Sequence, residues 1–264
     1  MNPLAIRAGR AALAIAQPGH ELLVHGWLEL ARPSVFVLAD GSGRHGRSRL
    51  DSTTKILSQI GAAPSCIYGR LTELAVYAAI LNRDFDLFIS LAEELSEALV
   101  NGRIEYVVGD AAEGQVVEHD VWRLVIDAAI LIAQQSRGLR IANFDFVVAG
   151  RPDTCPEGLR AGAICLHLDD DAFARKLEAT RNYPEIADEI EAKLKEVGVK
   201  AFSVEWLRPV HTRAGFEHEV EEPPFYERHG EKLVAAGHFE RAIRYREHVV
   251  PLAQALWRHA ERRG

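Results

Sequence analysis

The chain has 264 residues, 48% of them hydrophobic and 26% charged, with a formal net charge of −7. This is globular composition, which excludes a disordered or fibrous chain. The acidic balance and scattered basic residues exclude nucleic acid as an electrostatically favoured partner.

No Pro/Gly/Ser-rich linker divides the sequence, so a single domain over 1–264 is expected, with a variable C-terminal part from residue 151. Cys66, Cys155 and Cys165 have neither an even count nor a Cys-x-x-Cys spacing. They predict no disulfide framework and no thiolate metal site, and fit a reducing cytoplasm. Arg7 and Arg10 precede the apolar run 11–16 without a convincing cleavage site, and no segment is long and apolar enough to span a bilayer.

In chain order, 11–16 reads as a buried strand ended by Pro18 and Gly19, and 21–30 as a helix stopped by Pro33. The run 35–39 is a strand closed by Asp40-Gly41, completing a strand-helix-strand unit of parallel strands. Residues 52–60 predict a helix, 65–68 a short strand, and 84–99 an amphipathic helix. A strand over 106–108 ends at Gly109-Asp110; a helix over 120–136 and a strand over 141–149 follow. In the C-terminal third, 170–177 and 183–197 read as helices, 202–207 as an edge strand, and 235–262 as one long helix. The expected fold is α/β, a Rossmann-like parallel sheet with flanking helices and a helical C-terminal extension.

Polar groups stand at three strand ends, Gln17, Asp40 and Asp110. In open parallel sheets, ligands bind beyond the carboxyl ends of the strands, so the loops that follow are the expected site. Gln17-Pro18-Gly19-His20-Glu21 joins a strand to a helix; its plain reading is a turn with a capping carboxylate. The segment from Asp110 through Glu113 and His119 to Asp120 carries carboxylates and an imidazole suited to a divalent metal, although Asp120 could simply cap a helix. Asp40-Gly41-Ser42-Gly43-Arg44 resembles a phosphate-cradling loop but lacks nucleotide-binding spacing, and the basic stretch from Arg44 to Arg49 could hold an anion.

The segment 13–22, followed at the right distance by Val37-Leu38-Ala39-Asp40-Gly41, resembles the opening of the PIG-L (LmbE-like) N-deacetylases. These begin with a strand, the loop AHPDDE, a helix and a second strand ending in Asp-Gly. The segment 107–120 resembles their second motif, usually HPDH, and the likeness covers about 10–150. It implies a zinc-dependent hydrolase of N-acyl groups. By position, the family's first metal ligand becomes Gln17, its general base Gly19 and its Asp ligand His20; Glu21 is retained, and His119 matches the last ligand.

Gln17 is a poor zinc ligand and Gly19 cannot take a proton. The resemblance therefore implies an altered divalent metal site on His20 and His119, with Glu113, Asp110 or Glu21 as a third ligand and Glu21 or Glu113 as the base. Gln17, Asp40, Ser42, Arg44, Asp110 and Asp120 are the expected substrate-binding residues. The expected partner is a small molecule carrying an amide on a sugar-like or small amine, with neither nucleic acid nor membrane; self-association into a homo-oligomer stays open. The rival expectation is a PIG-L-fold protein that has lost the chemistry and binds a ligand or partner in the same cleft. A nucleotide-dependent transferase ranks third.

Overall fold

Uninterrupted apolar runs become central strands because a strand covered on both faces has no polar side to show. The computed structural model describes residues 10–43, 46–211 and 221–263. Its strands are β1 (Ala11–Ile15), β2 (Ser34–Ala39), β3 (Ala63–Leu71), β4 (Tyr106–Asp110), β5 (Ala142–Phe146), β6 (Ile164–His167) and β7 (Val204–Pro209). They form one seven-stranded sheet in the order β3-β2-β1-β4-β5-β7-β6. Neighbours from β3 through β5 are parallel, whereas β7 is antiparallel to β5 and β6 antiparallel to β7. The α/β sheet is thus mixed and mostly parallel, and the C-terminal extension adds two strands as well as helices.

The helices are α1 (His25–Ala31), α2 (Leu50–Ile60), α3 (Glu73–Leu81), α4 (Phe85–Asn101), α5 (Val117–Arg137), α6 (Glu157–Arg160), α7 (Asp170–Arg181), α8 (Ala187–Val197), α9 (Phe225–Ala235) and α10 (Val250–Glu261). Strand alternation sorts the side chains into two cores. Ala12, Ala14, Phe36, Leu38 and Val107 face Leu95 of α4, Trp122 and Val125 of α5 and Leu256 of α10. Leu13, Ile15, Val35, Val37 and Val108 point the other way, toward Trp27 and Leu28 of α1 and Leu57 of α2. Two helical layers therefore enclose the sheet. Among the described residues, no helix is long and apolar enough to cross a membrane.

Several elements differ from the sequence reading. A 3-10 turn, His20–Val24, precedes α1, and α5 begins three residues before Asp120, so Asp120 lies within the first turn and is not its cap. β7 is not an edge strand, because β6 pairs along its outer side. The expected helix over 235–262 is broken: α9 ends at Ala235, Gly237 takes φ +77°, and the chain re-enters helix through a π-helical turn, Tyr245–Val249. A residue at positive φ ends a helix however apolar the following pattern is.

The C-terminal part is fastened to the β1 region by a buried ion pair. Lys176 Nζ on α7 donates to Glu205 Oε1 on β7 and to the Leu23 carbonyl, each at 2.8 Å. The same Glu205 carboxylate accepts from Gly26 N (2.9 Å) and Trp27 N (2.8 Å), satisfying the start of α1. One carboxylate thus joins α1, α7 and β7. Lys176→Met should cost about 3 kcal/mol of stability, because it leaves Glu205 buried without its cation. Denaturant unfolding reads this, and a loss below about 1 kcal/mol would show that the backbone donors alone satisfy the carboxylate.

Candidate metal centre

The order of the parallel strands reverses between β1 and β4: the chain moves from β1 outward to β3, then returns to the far side of β1 with β4. A crevice opens at the carboxyl ends of such a pair. Here β1 feeds the loop 16–20 and β4 ends on Asp110, so the topology brings together two segments some ninety residues apart.

Asp110 is fully buried. Its Oδ2 accepts from Ala16 N at 2.7 Å and bonds to His20 Nδ1 at 2.9 Å. His119, in the first turn of α5, packs edge-to-face on the His20 ring with centroids 4.6 Å apart. One ligand atom from each of His20, Asp110 and His119 lies within 4.8 Å of the others. His20 keeps 13% of its side chain exposed, so the cluster has one open side.

Burial works to raise the Asp110 carboxyl, yet the charge and hydrogen bond of His20, with the Ala16 N–H, hold it below the ordinary carboxylate value. For His20, burial lowers the imidazole, but the Asp110 charge and hydrogen bond prevail and raise it. Burial, joined by repulsion from His20, pushes His119 down to about 3. A neutral His119 therefore presents a free lone pair. Two atoms of the cluster, Asp110 Oδ1 and His119 Nε2, are buried without a hydrogen-bond partner. Leaving such groups unsatisfied costs about 1–3 kcal/mol each, which a cation held by the cluster would offset. Two imidazoles and a carboxylate form a donor set of the kind that holds catalytic zinc, so the residues present fit a divalent ion.

The other expected site residues fall around this cluster in different roles. Asp110, expected as a substrate-binding residue or as a third ligand, lies with the two histidines in the cluster. Glu21 is fully buried, with Oε2 accepting from Gly19 N and Oε1 from Thr53 Oγ1, both at 2.7 Å. Glu113 accepts from Val148 N (2.7 Å), Ala149 N (2.9 Å) and Gly150 N (3.1 Å). Both carboxylates, expected as bases, thus spend their oxygens on holding loops. Asp120 Oδ1 accepts from the Glu113 and Gly114 N–H groups, and Asp40 Oδ1 from Ser42 N at 3.0 Å; these two also shape loops. Gln17 lines a cavity next to His20. Arg44 lies outside the described residues.

Glu73, at the start of α3, was not singled out from the sequence. Its Oε1 is buried without a partner. Burial raises its carboxyl, and the charges of Arg49, Asp40 and His20 act on it. Glu118, beside His119, is pushed up to about 7 by burial, with Glu73 and Asp120 adding to the effect. A lone Glu after a Thr cap reads as ordinary helix chemistry, so only its burial in the fold, where the His20 charge acts on it, reveals Glu73.

Gly19 explains the missing side chain at the loop's centre. It sits at φ +106°, and a Cβ built there would stand 2.8 Å from Ile186 Cδ1 and 3.8 Å from the Tyr183 ring. Tyr183 and Ile186, from the segment between α7 and α8, fill the space a side chain at residue 19 would need. The Tyr183 hydroxyl bonds to Thr53 Oγ1 at 2.9 Å and donates to the Arg49 carbonyl at 3.1 Å.

The fold is shared with the crystal structure of the deacetylase of the antimicrobial reagent A40926 pseudoaglycone. The likeness has a TM-score of 0.53 at 18% identity and covers 80% of this chain and 99% of that one. A deacetylase of the teicoplanin biosynthesis pathway is more distant, with a TM-score of 0.48 at 14% identity over 76% of this chain and 97% of that one. No protein-family model matches the sequence, and no curated protein matches it. The fold expected from the sequence resemblance is therefore the fold observed.

Gly19→Ala should destabilise the protein by about 1–3 kcal/mol through backbone strain alone, with the Ile186 contact adding to it. In a double-mutant cycle with Ile186→Ala, a coupling of at least about 0.5 kcal/mol is expected. Simple additivity in thermal or denaturant unfolding would show that the two residues do not compete for this space.

Proposed function

We propose that this protein is a divergent PIG-L-like hydrolase that cleaves the amide of an N-acylated sugar-like or small amine at a divalent metal, most simply zinc, held by His20, Asp110 and His119. The observation that carries this reading is the cluster of His20, Asp110 and His119, one ligand atom from each within 4.8 Å of the others, in which Asp110 Oδ1 and His119 Nε2 are buried without a partner. The fold shared with a deacetylase supports it.

When bound, the ion supplies Lewis-acid polarisation of the amide carbonyl and makes water a stronger acid. The chain's own residues do the rest. Asp110, fixed by Ala16 N–H, orients His20, while burial keeps His119 neutral and able to donate its lone pair. Glu21 and Glu113 brace the loops on either side. In the overall reaction the C–N bond breaks, the acyl carbon takes hydroxyl from water and the amine takes a proton. We assign Glu73 to hold and pass on that proton, because it has an uncommitted buried oxygen whereas Glu21 and Glu113 do not. Cys66, Cys155 and Cys165 are free thiols, which supports a reducing, cytoplasmic setting.

A second reading is favoured by Gly19. The place of the family's base is filled by Ile186 and Tyr183, as expected of a ligand-binding protein that has given up the chemistry.

Elemental analysis and metal titration of untagged protein, read beside an amidase assay, separate the two. His20→Ala, Asp110→Ala and His119→Ala should each weaken metal binding roughly 100-fold or more, beyond the cost of losing an outer-shell partner. Glu73→Gln should keep the metal and lower turnover by about 10²–10⁴-fold, the usual contribution of a general base. Wild-type protein that takes up no divalent ion would end the hydrolase reading; unchanged turnover in Glu73→Gln would end the assignment of that residue.

A further inference from the structure

A second cavity, of about 730 Å³, opens at the end of α3 away from Glu73. Glu73 is the first residue of that helix and Leu81 the last, so about 12 Å of helix separates the two, at 1.5 Å per residue. The end of α9 and the segment from Glu240 to His248 close the other sides. The space is of the size that takes a small organic molecule.

Leu81, Val234, Ala235 and Ala242 give the cavity an apolar side. Its polar side is rich in donors. Arg83 Nη2 donates to Glu247 Oε1 at 3.2 Å, Arg244 Nε lies 3.3 Å from Glu231 Oε1, and Arg241 Nη2 donates to Asn82 Oδ1 at 3.0 Å. Each contact engages one nitrogen of a guanidinium that carries five N–H groups. Glu231 and Glu247 are thus balanced by arginines, whereas the Arg241 charge meets a neutral amide. Both ion pairs are about half exposed, so they are weak and rearrange around a ligand at little cost. Glu240, which also lines the cavity, is the group that opposes an anion.

His248 adds a donor that the fold has fixed in place. Only 7% of its side chain is exposed, and its Nδ1 accepts from Arg244 N at 3.0 Å. The Arg244 carbonyl, 3.1 Å from the same nitrogen, already accepts from His248 N. A ring nitrogen that accepts carries no proton, so the neutral imidazole bears its proton on Nε2. That Nε2 stands 3.9 Å from Glu247 Oε1, beyond hydrogen-bond reach, and the ring forms part of the cavity wall. His248 belongs to the π-helical turn in which Val250 N donates to the Tyr245 carbonyl. Turns of this kind are uncommon and recur at functional sites.

We propose that this cavity is a second ligand site, which takes a small organic anion: a carboxylate or phosphate head among Arg241, His248 and the flanking arginines, on a carbon skeleton laid against Leu81, Val234 and Ala242. The donors call for an acceptor-rich group, and the apolar side favours a skeleton over a bare ion. The assignment does not depend on the hydrolase reading.

The full chain, as purified, is titrated calorimetrically with phenyl phosphate, benzoate, inorganic phosphate and benzyl alcohol. Phenyl phosphate or benzoate should bind at least roughly tenfold more tightly than inorganic phosphate, through burial of the ring, and by a similar factor more tightly than benzyl alcohol, through the charge. Whichever of the two prevails identifies the head group. Arg241→Gln should lower that affinity roughly tenfold or more, the worth of one hydrogen bond to a charged group. Glu240→Gln should raise it roughly threefold, on the scale of interactions between exposed charges, a gain that a misfolded variant cannot imitate. Failure of both organic anions to bind, benzyl alcohol binding as tightly as they do, or affinity unmoved by both substitutions would overturn the proposal. So would binding that is lost in His119→Ala and kept in Arg241→Gln, which would place the anion at the metal cluster.

Discussion

The Asp110 carboxylate, buried at the end of β4, is the interaction on which the site depends. Removing a carboxylate from water is costly unless donors replace the lost hydration, and two are supplied to one oxygen by the loop after β1: the Ala16 N–H and the His20 ring. The same contacts that stabilise the charge therefore draw β1 and β4 to a common end and aim an imidazole at the crevice. The other oxygen is left without a partner beside a neutral His119 whose Nε2 also has none. A buried polar network satisfied on one side and open on the other is well organised for a cation.

Around that charge, the loop from Gln17 to Glu21 is held from behind. Glu21 turns away from solvent to take the Gly19 N–H and the Thr53 hydroxyl, and Tyr183 joins this chain of bonds to the Arg49 carbonyl. The C-terminal part is thus integral to the site. It supplies Ile186 and Tyr183 where residue 19 has no side chain, and its helices α7 and α8 wall the adjoining cavity. The buried Lys176–Glu205 pair fixes that arrangement by tying α7 and β7 to the first turn of α1.

Site carboxylates divide by how many of their oxygens are already used. Glu113 uses both oxygens to accept three backbone N–H groups from the segment after β5, so it holds that segment to the loop before α5. Glu73 keeps an oxygen without a partner. Residue type alone does not distinguish these cases, because a carboxylate that caps backbone and one that handles protons are written with the same letter.

Sequence pattern sufficed for the alternating strands and helices of the N-terminal half and for the polar strand ends at Gln17, Asp40 and Asp110, whereas His20 and His119 were linked by the family resemblance. Hydrophobic period and turn residues are local properties, and they are legible because each element's burial pattern repeats over a few residues. Tertiary contacts bring Asp110 to the histidines, occupy Glu21 and Glu113, flank β7 with β6 and set α7 and α8 along a cavity. Most of these depend on contacts between residues some 32 to 90 apart, where no local period carries the information. The break between α9 and α10 was likewise hidden, because an apolar pattern continued past Gly237 while the backbone there took a conformation that a helix cannot contain.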